Sequence, residues 1–176
     1  MEQYKPPVPT MASKQQIHAF AEAAAKKLSY VAGGPIRDVV ARLGGVTEHS
    51  DPFEDEIPES IRVERKGKFA IYISSLTSSE RDRFTIAHEL GHYLLHYPKL
   101  LQQNPTAKMN ATRWVDESQQ TLVRAEWEAN WFAAAFLMPK AQFLLALGAG
   151  TLSDVADKFG VSEAAAGVRA KSLGRS

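Results

Sequence analysis

The sequence predicts a small α+β domain, and three observations carry this prediction. Residues 83–96 and 122–138 are rich in apolar side chains and have the length of buried helices. Residues 61–73 contain two runs of β-branched and aromatic residues around a Lys-Gly pair, which predicts a β-hairpin. Residues 152–173 are apolar at helical spacing around a central glycine, which predicts a helix-turn-helix-like pair of short helices.

Composition limits the class of protein. The 176 residues suffice for one domain with a real core, and 44% hydrophobic with 23% charged residues is typical of a globular chain. The net charge of +1 gives no general attraction to nucleic acid or membranes. The sequence has no cysteine, which excludes disulfides and thiolate metal ligands. No signal peptide or membrane-spanning run is visible, so we expect a cytoplasmic protein.

The N-terminal part of the chain is expected to be a lead-in followed by two helices. Residues 1–12 contain three prolines among polar residues and are expected to be disordered or extended. Ser13 can cap a helix whose apolar residues recur at i, i+3, i+4 spacing as far as Leu28. Pro35 suits the first turn of a second helix, which Gly44-Gly45 ends.

Two later segments are expected to be irregular. Residues 47–59 carry six acidic side chains without the spacing of a calcium-binding loop, which predicts a solvated, mobile loop. Residues 102–121 are polar and aperiodic, which predicts a loop between the two buried helices. We therefore expect a main domain over residues 13–150 and a C-terminal helical pair over 151–176.

The first buried helix carries His-Glu-x-x-His, the signature of zincin metallopeptidases. His88 and His92 lie one turn apart on one helix face, so both imidazoles can bind one Zn²⁺. Glu89 is placed to act as general base on a metal-bound water without itself being a ligand. The surrounding residues are apolar, and a buried polar strip needs partners, which a metal ion supplies.

A catalytic zinc site normally has three protein ligands and a water. His96 is too distant, because it lies about 12 Å along the helix axis from His88. It is expected instead to hydrogen-bond behind the ligands. Glu126, on the second buried helix, is the preferred third ligand.

Two neighbours of Glu126 have predicted roles of their own. Asn130 lies one turn further along the same helix face, where it can orient a histidine ligand. Glu128 points away from that face and is expected to pair with Arg124. Glu128 nevertheless stays open as the first alternative to Glu126 as metal ligand.

These two helical segments resemble the ImmA/IrrE metallopeptidases. The matching stretches are RFTIAHELGHYLLH at residues 83–96 and EWEANWFAAAFLMP at 126–139. The resemblance covers residues 61–139 closely and the C-terminal helical pair loosely. It implies a small zincin-like domain acting as a cytoplasmic zinc endopeptidase. It also implies that the substrate is a helix-turn-helix transcriptional repressor, so that cleavage relieves repression in mobile-element or DNA-damage responses of bacteria.

Further features of the site stay open at this stage. A donor that stabilises the developing oxyanion is expected, and Tyr93, His96 and Arg113 are the candidates. The strand predicted at residues 68–73 can bind a substrate peptide as an added strand.

Two other classes of function compete with a peptidase. The helical pair can be a DNA reader, but its second helix offers only Arg169 and Lys171 as basic side chains, so a packing or docking role is preferred. The protein can also be a metal-bearing regulator that does not cleave, or the toxin of a toxin–antitoxin pair. The intact Glu89 favours hydrolysis. The expected partner is thus a protein, with no membrane and no direct nucleic-acid binding.

Overall fold

A computed structural model describes residues 3–51, 53 and 58–176, and it confirms the predicted α+β class. Within these residues, five strands form one mixed sheet in the order β1-β5-β3-β4-β2. The strands are β1 (Tyr4–Lys5), β2 (Gly45–Ser50), β3 (Glu59–Arg65), β4 (Lys68–Ser74) and β5 (Lys108–Thr112). Alternate residues of β3 and β4 are buried, so one face of the sheet lies against the helices.

The predicted hairpin is confirmed. β3 and β4 are antiparallel with Ile61 opposite Ile71, and Gly67 in the turn has a φ of +78°, which glycine adopts readily. β4 also pairs in parallel with β2, so it lies inside the sheet. The prediction that residues 68–73 receive a substrate strand is therefore wrong, because both hydrogen-bonding edges of β4 are occupied.

Three segments expected to be irregular contain strands. The predicted disorder of residues 1–12 is wrong over residues 3–12, because β1 pairs in parallel with β5 and the following segment contacts a buried carboxylate. The start of the acidic loop, 47–50, belongs to β2, whereas residues 52 and 54–57 lie outside the described residues. The polar segment 102–121 contains β5, which pairs with β3.

The helices follow the predicted pattern in most of the chain. They are α1 (Lys14–Lys27), α2 (Ile36–Arg42), α3 (Ser79–Gly91), a π-helical turn (His92–His96), α4 (Tyr97–Gln103), α5 (Gln120–Leu137), α6 (Lys140–Ala149), α7 (Leu152–Phe159) and α8 (Glu163–Ser172). Ser13 and Gln16 cap α1 reciprocally. Pro98 lies in the first turn of α4, where its missing N–H costs little.

The predicted C-terminal helical pair is present, and it is part of the core. Val155 and Phe159 of α7 are fully buried, and Gly160 makes the turn with a φ of +63°. The Arg169 side chain of α8 is also fully buried, and its guanidinium donates to the Met138 carbonyl. Arg169 is therefore not available to DNA, which removes one of the two basic side chains on which a DNA-reading role rested.

Among the described residues, no single helix is long and apolar enough to cross a membrane. Helices α5 and α6 reach that length and composition only when counted together, and the chain bends by 59° between them.

Candidate metal centre

The predicted His-Glu-x-x-His motif lies at the end of α3 and the start of the π-helical turn. Ser78 caps α3, since its hydroxyl accepts the Arg81 N–H. Ile86, Ala87 and Leu90 anchor the helix in the core. Because these apolar residues are buried, the rotation of the helix is set, and with it the position of the motif's polar side chains.

Helix α5 approaches α3 closely at Gly91, as the small residues in both helices suggest. A β-carbon placed on Gly91 would lie 3.2 Å from Ala129 Cα and 3.2 Å from two atoms of Phe132. A side chain at position 91 would therefore push the helices apart. This contact places Glu126, on α5, opposite His88 of α3 and His92 of the π-helical turn.

The three predicted ligands converge on one point. His88 Nε2 lies 3.1 Å from His92 Nε2, and each of these nitrogens lies 3.1 Å from an oxygen of Glu126. Ligands about 2.0–2.1 Å from a tetrahedral ion are about 3.3 Å from one another, so the spacing fits a metal ion. Of the described residues, His88, His92 and Glu126 form the group that could hold one.

Asn130 lies where the sequence placed it, beside a ligand. Its Oδ1 is 2.9 Å from His88 Nδ1. An amide oxygen only accepts, so His88 carries a proton on Nδ1, and Nε2 is the nitrogen through which it can bind a metal.

Burial and mutual contact set the charge of the ligands. Burial lowers the pKa of His92 to about 3, so its imidazole is neutral, as metal binding requires. Burial alone would raise the pKa of Glu126, but its contacts with the imidazoles of His88 and His92 hold that pKa well below its usual range. Burial also disfavours the charged form of His88, but the contact with Glu126 raises the pKa of His88. A metal ion that binds His88 Nε2 must therefore displace a proton from that nitrogen.

Glu89 is buried beside the ligands and is suited to accept a proton. Burial raises its pKa to about 7, although the charge of His88 and a hydrogen bond with Ser60 act in the opposite direction. Its Oε2 is buried and has no hydrogen-bond partner within the described part of the chain. An unpartnered buried carboxylate oxygen is costly for stability, and such groups are commonly found where chemistry is done.

Glu89, His88 and Glu126 line a cleft of about 670 Å³ that reaches the protein surface. Leu76 and Trp114 also line it, although they are 69% and 76% exposed. Sequence reasoning did not assign Ser60, Leu76 and Trp114 to this site, because they lie in a strand and in turns outside the motif.

The three candidate oxyanion donors lie in different places. Arg113 lines the cleft, and its guanidinium donates to Ser50 Oγ and to the Tyr72 carbonyl. The Tyr93 hydroxyl instead accepts the Gly67 N–H, and its ring stacks on Phe69. His96 is fully buried behind His92. Arg113 is thus the candidate that faces the cleft.

Glu128 is not part of the ligand group. Its Oε1 accepts from Arg124, as predicted, and its Oε2 lies 3.0 Å from His96 Nε2. His96 in turn contacts His92, at 2.8 Å between their Nδ1 atoms. Glu128 and His96 therefore lie behind the ligands and not among them.

The sheet, the His-Glu-x-x-His helix and the carboxylate from a second helix together define a small zincin-like domain with a candidate metal centre. The chain belongs to the Peptidase_M78 family of metallopeptidases, described as the IrrE N-terminal-like domain, whose profile matches residues 45–171. The match includes the ligand helices and nearly all of the C-terminal helical pair. Comparison with curated proteins gives no significant match.

Among solved structures, the chain is similar to one described as a Mycobacterium tuberculosis transcriptional regulator. The TM-score is 0.61 at 20% sequence identity, and the similarity covers 91% of this chain and 48% of the other. At this identity the likeness shows a shared fold. The chain spans about half the length of that structure.

Proposed function

We propose that this chain is a zinc-dependent endopeptidase that cleaves a partner protein. One arrangement carries the proposal: the Nε2 atoms of His88 and His92 lie 3.1 Å apart and each lies 3.1 Å from one oxygen of Glu126, with the unpartnered Oε2 of Glu89 buried beside them at an open cleft. A purely structural metal site is normally closed by four protein ligands, whereas three ligands beside a cleft leave a position for water or substrate.

In the proposed mechanism His88, His92 and Glu126 hold the metal. When bound, zinc lowers the pKa of a coordinated water to about 7 and polarises a carbonyl group. Glu89 takes up a proton at Oε2 and returns it to the leaving amine. Arg113 supplies positive charge at the cleft for the oxygen of the scissile carbonyl.

The substrate proposed is an extended segment of a protein. The cleft is open to the surface, and exposed Leu76 and Trp114 offer apolar contacts to substrate side chains. Membership of the IrrE-like family supports a helix-turn-helix repressor, cleaved in the cytoplasm, as the partner. The similar solved structure is described as a transcriptional regulator, which agrees with a role in gene regulation.

The test is to incubate the zinc-loaded chain with the repressor encoded by a neighbouring gene and to measure fragment masses. We expect discrete fragments with the wild type and none with Glu89→Gln, because that change removes the base but no ligand. Zinc content measured on both proteins is the control. Equal cleavage by Glu89→Gln would contradict the assigned base, and a repressor that binds but stays intact would favour a non-cleaving regulator.

A further inference from the structure

A buried chain of hydrogen bonds connects the candidate metal centre to the N-terminal segment of the protein. It passes from His92 to His96 at 2.8 Å, and from His96 to Glu128 at 3.0 Å. Glu128 then accepts from the backbone N–H groups of Thr10 and Met11, at 2.8 and 2.9 Å. His92, His96 and Glu128 are all buried, so water does not compete for these bonds.

The chemistry of Glu128 fixes the direction of the chain. Besides His96, the described groups bonded to its carboxylate are the Thr10 N–H and hydroxyl, the Met11 N–H and the Arg124 Nε–H. The Thr10 hydroxyl oxygen accepts from the Ala12 N–H, which leaves its own hydrogen for Glu128. Glu128 therefore acts as acceptor throughout, and His96 must donate to it from Nε2.

The proton positions of both histidines follow from that direction. When His96 carries a single ring proton, on Nε2, it presents a lone pair at Nδ1. His92 must then donate from Nδ1, which leaves the lone pair of its Nε2 facing His88 and Glu126. This is the tautomer in which His92 can bind a metal.

The N-terminal segment is held against Glu128 at a conformational cost. Met11 has a φ of +62°, a left-handed conformation that is unfavourable for a non-glycine residue. Arg124 ties down the same segment, since it donates to Glu128 and also to the Ala12 carbonyl. Strained backbone persists where surrounding contacts over-determine it, and here the contacts aim two N–H groups at one carboxylate.

We propose that His96 and Glu128 are positioning residues for the metal ligand His92, and that the segment Thr10–Met11 completes them by holding Glu128 as an acceptor. The inference rests on the proposed metal site but not on the proposed substrate. Loss of a group that orients a ligand histidine typically weakens metal binding 10–100-fold.

The test measures zinc affinity by competition with a chelator, together with the protonated nitrogens of the histidines by ¹⁵N NMR. We expect Glu128→Gln to weaken zinc binding about 10–100-fold. Thr10→Val, which removes one of several donors to Glu128, should weaken it in the same direction but less. Glu22→Gln is the matched control, because Glu22 also accepts from an arginine and a backbone N–H but lies at the α1–α6 contact. It should bind zinc as the wild type does.

The wild-type spectrum gives an answer even where a variant folds poorly. In the zinc-loaded protein, His92 should carry its proton on Nδ1 and His96 on Nε2. The opposite assignment, or undiminished zinc affinity in folded Glu128→Gln, would overturn the inference while leaving the metal site intact. A wild-type protein that takes up no zinc would overturn the proposed metal site as well.

Discussion

The close approach of α3 and α5 makes Gly91→Ala a sharp test of how the site is assembled. A methyl group at position 91 would lie 3.2 Å from the Ala129 backbone and from the fully buried Phe132 ring, so either the ring or α5 must shift. Overpacking of this kind costs about 1–3 kcal/mol. The change also gains about 1 kcal/mol, because alanine favours a helix more than glycine does.

Gly148→Ala in α6 is the matched control, because a β-carbon there meets nothing within 4 Å. It should raise stability by about 0.5–1 kcal/mol, whereas Gly91→Ala should be neutral or lower stability by up to about 2 kcal/mol. Urea unfolding of both variants measures the difference between their changes in unfolding free energy. Because both gain the helix propensity of alanine, this difference is the steric cost at position 91, about 1–3 kcal/mol.

Gly91→Ala should also weaken zinc binding, since Glu126 lies one turn before Ala129 and moves with α5. If Gly91→Ala stabilised the protein as much as Gly148→Ala and kept full zinc affinity, the tight helix contact would not be what sets the ligand spacing.

Three further predictions concern metal removal, pH and the buried arginine. Chelation should lower the melting temperature by roughly 5–10 °C relative to protein in zinc at 100 times its dissociation constant, and His92→Ala should show no such zinc dependence in the same thermal scan. Burial and the charge of Arg169 lower the pKa of His18 to about 4, from about 6.5 in the unfolded chain. The contribution of His18 to stability is therefore fully present above pH 6.5 and is lost as the pH falls towards 4. His18→Gln should therefore flatten the pH dependence of stability by about 1–2 kcal/mol, allowing for its partial exposure, and an unchanged pH curve would contradict this. Arg169→Met should cost about 2–4 kcal/mol in urea unfolding, because it leaves a buried carbonyl without its donor and Glu22 without its arginine partner, whereas exposed Lys171→Met should cost little.

The parts of the fold that sequence predicts well are those specified by neighbours along the chain. The helical spacing of His88 and His92, the cap at Ser13 and the turn at Gly67 are local properties. Strands β1, β2 and β5 escaped prediction, because they are short, polar segments whose pairing partners lie far away in sequence. Strand β4 was predicted, but its position inside the sheet was not, because that position depends on pairing with β2.

Residues of the candidate site were likewise predicted where they depend on spacing within one helix, and missed where they depend on contacts between distant elements. Glu126 and Asn130 were identified because they share one face of a helix, and the structure places both beside His88. The roles of Arg113 and Trp114 depend on a loop that returns to the cleft. The contact between Glu128 and His96 was not predicted, because it depends on the crossing of two helices and not on the spacing within either.

The bond between Thr10 and Glu128 joins residues 118 positions apart, which has a consequence for the order of folding. Contacts of such separation form late, because the loop they close is long. During synthesis the N-terminal segment emerges first, yet its carboxylate partner follows only after about two thirds of the chain. An unfinished chain can display His88 and His92, but it lacks Glu126 and the buried support of His92. The ligand set of the candidate metal centre, with the support of His92, is therefore complete only in chains synthesised beyond Glu128.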